Sequence, residues 1–82
     1  MNKTEFWNYI QPYFDKAEDE ELATVGCAFG YNDKETHEGV EIDYKALGLD
    51  FDGLVSLLKE LDADGLVEFI DPNNMQYIIH KR

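Results

Sequence analysis

The sequence predicts a small α+β domain. Two amphipathic helical stripes, one near each end of the first two-thirds of the chain, lie either side of alternating strand-like runs. Two further short apolar runs follow, joined by Asp71-Pro72-Asn73-Asn74, whose residue types favour a tight turn. With 82 residues the chain has room for one domain, 1–82, in which 1–39 supplies a helix plus an elaboration and 40–82 the more regular core. A hydrophobic fraction of 44% with 13% aromatics is enough for a real core, so the charge does not make this a disordered tail.

Phe6, Trp7, Ile10, Tyr13 and Phe14 recur at three- and four-residue spacing, which predicts a first helix with Thr4 as its cap. Pro12 removes a backbone donor and crowds the carbonyl four residues earlier, so a kink or two shorter pieces meeting at Gln11-Pro12 are expected. Aromatics left over from the core, such as Tyr9 and Tyr13, are available to a homodimer interface. The acidic run Glu18, Asp19, Glu20, Glu21 reads as a solvated face or a helix start, or else as a docking surface. Residues 22–31 are ambiguous. Ala23, Val25, Cys27, Phe29 and Tyr31 alternate as in a half-buried strand, while Leu22, Val25 and Phe29 also share a helical face. Gly26 and Gly30 tilt the reading toward strand, with Cys27 a small buried hydrophobe. Residues 32–39 are polar and read as an exposed loop, where mobility or a binding tip is most easily accommodated.

From Val40 the signals sharpen. Val40-Glu41-Ile42 alternates as a strand, and Tyr44 to Leu47 form a helical turn or two ended by Gly48. Asp50 caps a helix that carries Leu54, Val55, Leu57, Leu58 and Leu61, and Gly65 suits its left-handed stop. Leu66–Ile70 and Met75–Ile79 then read as strands. This order of short strand, short helix, turn, longer helix and hairpin resembles the winged helix-turn-helix superfamily. Residues 42–49 are similar to its first strand and helix, 51–64 to its second helix, and 66–80 to its wing. The resemblance implies a helix that enters the DNA major groove and a wing that touches the backbone.

The charge argues against that role. Eighteen acids against seven basic residues give −11, and phosphates repel such a chain, as do anionic membrane surfaces. The outward side of the second helix offers Asp52, Ser56, Lys59 and Glu60 with a single cation. The expected partner is therefore a basic or nucleic-acid-binding protein, and the candidate interaction surface is Asp52, Ser56, Lys59 and Glu60 with Glu18, Asp19, Glu20 and Glu21. A transcriptional regulator, in which a dimer gathers scattered lysines, and an acidic DNA-mimic inhibitor are the alternatives.

No chemistry points to an enzyme or a cofactor. His37 and His80 lack ligand spacing, and Asp62-Ala63-Asp64-Gly65 departs from a calcium loop in its glycine position and its missing twelfth-position Glu. Ser56 has no visible base, and Cys27 no neighbouring cations to favour thiolate. A single cysteine, an N-terminal stretch unlike a signal peptide, and no run of about 20 apolar residues point to the cytoplasm.

Overall fold

The computed structural model describes residues 1–25, 28–70 and 77–82. It is an α+β fold: two α-helices cover one face of a five-stranded antiparallel sheet. The first helix, α1, runs Lys3–Lys16. Asn2, not Thr4, caps it. The Asn2 Oδ1 accepts the Glu5 N–H at 2.8 Å, and the Glu5 carboxylate accepts the Asn2 N–H at 3.3 Å, a reciprocal capping box. Pro12 lies inside one continuous helix rather than between two pieces. Two residues on from Ile10 is about 200° around the axis, so the ring points away from the core. The carbonyl it strands belongs to Asn8, which is exposed and open to water. Phe6, Ile10 and Phe14, one turn apart, are fully buried.

A 3-10 turn over Glu18–Glu20 follows, then β1 (Glu21–Val25), β2 (Ala28–Asn32) and β3 (Gly39–Asp43). The acidic run is thus no helix start. Asp19 and Glu20 adopt left-handed φ angles of 56° and 52°, and the chain bends directly into β1. Residues 22–31 form two strands where alternation had implied one. Ala23 pairs with Gly30 and Thr24 with Phe29. The inward set therefore switches from even positions (Leu22, Thr24) to an odd one (Phe29), and Ala23 and Phe29 lie on opposite faces. Cys27 and the Asp71–Asn74 turn lie outside the described residues.

A second 3-10 turn, Tyr44–Leu47, ends at Gly48 with φ 77°. Helix α2 (Phe51–Ala63) is capped by Asp50, whose Oδ1 accepts the Gly53 N–H at 2.7 Å. It stops at Gly65 with φ 78°, the left-handed stop that its position predicts. Leu54, Leu57, Leu58 and Leu61 are buried, whereas Val55 is half-buried. Strands β4 (Val67–Ile70) and β5 (Tyr77–Lys81) complete a sheet ordered β3-β2-β1-β5-β4. The core lies between sheet and helices: α1 packs on β1 and α2, and α2 on β4. Leu22, Phe29, Ile42, Val67 and Ile79 are its strand contribution. Thr24 is fully buried among them, and its hydroxyl oxygen accepts the Tyr77 N–H at 3.2 Å.

Candidate functional site

With both helices on one side, the other face of the sheet is uncovered. Strand alternation dictates what it displays. Across its middle runs a row formed by Glu41, Gly30, Ala23, Ile78 and Ile70, each opposite the next. A neighbouring row holds Glu21, His80 and Glu68, and Asp43 stands opposite Ala28. Small residues at the centre leave an open depression of about 940 Å³, bordered by Glu18, Asp19, Glu21 and Glu41, with Ile78 on its apolar floor. The strand positions pointing outward include four carboxylates, Glu21, Glu41, Asp43 and Glu68, and no Lys or Arg. His80 sits between two of those acids, with Nε2 3.9 Å from the Glu21 carboxylate.

Lys34 lies beside Asp19 and Glu20 at the rim, and several other basic residues are paired elsewhere. Lys3 bonds Asp64 at 2.8 Å, Lys81 approaches Asp15 at 3.5 Å and Arg82 approaches Asp62 at 3.7 Å. The Lys3–Asp64 hydrogen bond raises the Lys3 ammonium above its ordinary value. Lys16 lies over the Tyr13 ring at 5.6 Å. Tyr13 also lies between Tyr9 and Tyr31 in tilted ring contacts, with centroids 5.7 Å away on each side. Tyr9 is 37% exposed, so this ladder is only partly free for a dimer contact.

The structure divides the sequence-predicted surface in two. Glu18, Asp19 and Glu21 border the depression, and Glu20 is exposed beside them. Asp52, Ser56, Lys59 and Glu60 are exposed as expected, but on α2, and do not line it. Glu41, Asp43 and Glu68 were not singled out from the sequence. Their signal is alternation: each sits in a strand run one position from an inward apolar residue.

The sheet's two edges differ. On β4 two of the edge-facing groups are occupied, for Asp62 Oδ2 accepts the Phe69 N–H at 2.9 Å and the Arg82 Nε–H donates to the Val67 carbonyl at 2.9 Å. The β4 edge is therefore partly closed by side chains. On β3 no described residue outside β2 bonds the backbone of Val40, Glu41 or Ile42.

The segment 33–38 is a tight turn rather than a loose loop. Asp33 Oδ1 accepts the Glu35 and Thr36 N–H groups at 2.8 and 3.0 Å, and His37, with φ 61°, places Nδ1 2.5 Å from the Glu18 carboxylate. Donation from Thr36 and Glu35 holds the Asp33 carboxyl below its ordinary value. Because the folded pKa is depressed, ionised Asp33 favours the turn at neutral pH and the contribution disappears as pH falls through that lowered value. Acidification should lower the exchange protection of the Glu35 and Thr36 amides, relative to their intrinsic rates, ahead of β1 and β2, while Asp33→Asn should remove this step. Identical pH profiles in the two proteins would contradict the assignment.

Among the described residues, no group of three or more His, Cys, Asp or Glu is arranged to hold a metal ion, and no helix is long and apolar enough to cross a membrane.

The chain matches no known protein family, no curated protein and no solved structure.

Proposed function

We propose that this protein is a cytoplasmic interaction module, not an enzyme, that docks a basic partner on the open face of its sheet. The observation that carries the reading is the segregation of charge. Glu21, Glu41, Asp43 and Glu68 share the one large face left uncovered, while three of the basic side chains are held in ion pairs away from it. Like charges displayed together raise the local negative potential, which steers a cationic partner and repels nucleic acid. Ala23, Gly30, Ile70 and Ile78 give that partner apolar ground to cover.

The winged-helix part of the reading rests on element order over residues 40–82. β3, a helical turn, α2 and the β4–β5 hairpin follow one another as in that superfamily, although β3 pairs with β2 at the far edge from the hairpin. A DNA-binding regulator finds no support in α2, where Lys59 stands among exposed Asp52 and Glu60. A DNA-mimic inhibitor is a special case of the proposed module, in which the partner itself binds nucleic acid.

The test is a binding titration at low salt with a lysine-rich peptide and, separately, duplex DNA. The peptide should bind, lose affinity as salt is raised, and bind at least about tenfold more weakly to a Glu21→Lys/Glu41→Lys double variant. Duplex DNA binding as tightly as the peptide would overturn the reading and restore the regulator.

A further inference from the structure

We propose that β3 is a docking edge, and that the partner adds a strand to it in which Lys or Arg alternates with branched apolar residues. This inference rests on the acidic-module reading and specifies where and how such a partner engages. It begins from the asymmetry of the edges. An uncapped sheet edge is a template for another chain, and folded proteins commonly block it. Here β4 is blocked twice, at the Phe69 N–H by Asp62 and at the Val67 carbonyl by Arg82. On β3, Val40 and Ile42 turn their backbone groups toward β2, and the edge groups of Glu41, between them, have no such cap among the described residues. Five residues of β3 present roughly 17 Å of edge.

Alternation sets the chemistry of the added strand. Val40 and Ile42 point to the core side, half-buried and buried, so a sixth strand would extend their apolar rows. Glu41 points to the open face, with Gly39 and Asp43 in line, so side chains beside it would meet negative charge. Opposite charges side by side on neighbouring strands favour pairing, and like charges oppose it. A second copy is the poorer occupant for that reason. Antiparallel β3–β3 pairing would bring Glu41 against Glu41 in a dimer of two strongly acidic chains. Strand addition supplies main-chain hydrogen bonds for affinity, and alternate side chains supply selectivity.

The experiment compares two short peptides of alternating lysine and valine. They carry equal charge, but one is N-methylated at every second backbone nitrogen, which removes the donors along one edge. The unmethylated peptide should bind at least about tenfold more tightly, slow exchange of the edge-facing Glu41 amide, and lose about tenfold or more with Glu41→Lys. Equal binding of the methylated peptide, with signals moving across the open face, would overturn strand addition while leaving the acidic-module reading intact. Binding by neither peptide would overturn both. Protection of the edge-facing Glu41 amide in the protein alone, together with dimeric sedimentation, would overturn the heterologous partner in favour of a second copy.

Discussion

Phe6→Ala should remove a large share of the protein's stability. Phe6 has no exposed surface and sits where α1 meets the core. Truncating a buried phenylalanine to alanine removes about 3–5 kcal/mol, because the lost transfer energy is compounded by a cavity that the neighbours only partly fill. A domain of 82 residues has about 4–12 kcal/mol in total, at the usual stability per residue. For a domain this size, such a loss lowers the melting temperature by at least about 12 °C. Thermal denaturation followed by circular dichroism reads this directly, and a shift below about 4 °C would mean that the aromatic stripe of α1 is not seated in the core as described. The half-buried Trp7 stands 6.1 Å from Phe14, centroid to centroid, and makes a useful comparison whose truncation should cost less.

Gly30→Ala should be nearly as damaging for a different reason. Gly30 lies opposite Glu41 in the β2–β3 ladder, and a Cβ there would fall 2.3 Å from the Val40 carbonyl oxygen. That oxygen belongs to backbone, so it cannot swing aside as a flexible side chain could. Accommodating the methyl means displacing β3, at about 1–3 kcal/mol or more. Because β3 carries Glu41 and the open edge, the variant should lose peptide affinity as well as stability. Gly39→Ala is the matched control, since the nearest atom to its Cβ would be the Asn32 Oδ1 at 3.8 Å, ordinary contact distance. Equal melting temperatures for the Gly30→Ala and wild-type proteins would refute the close approach of β3.

Much of the helical structure is legible in the residues. Leu54, Leu58 and Leu61, capped by Asp50 and stopped by Gly65, combine period, start and stop signals that agree. The α1 stripe is equally plain, but its cap was misplaced at Thr4 because Asn2 and Glu5 compete for the same turn and only geometry shows the reciprocal bonds. The hairpin of β1 and β2 was harder. Alternation from Ala23 to Tyr31 is continuous in the letters, and Gly26 alone hints that the phase reverses between Val25 and Ala28. That reversal decides which side chains face outward, so the open face could not be assembled from the sequence. Glu18–Glu21 was legible as an acidic run. Glu41 and Glu68 come to the same face through pairings that span much of the chain, and long-range register leaves little local trace.

The placement of the binding surface is the central claim, and amide chemical-shift mapping tests it most directly. Isotope-labelled protein is titrated at low salt with the lysine-rich peptide, and the perturbed amides are assigned. The account predicts a footprint over Glu21, Ala23, Gly30, Glu41 and Ile78, with α2 unchanged. A footprint centred on Asp52, Ser56, Lys59 and Glu60 would contradict it and move the site to the outward side of α2.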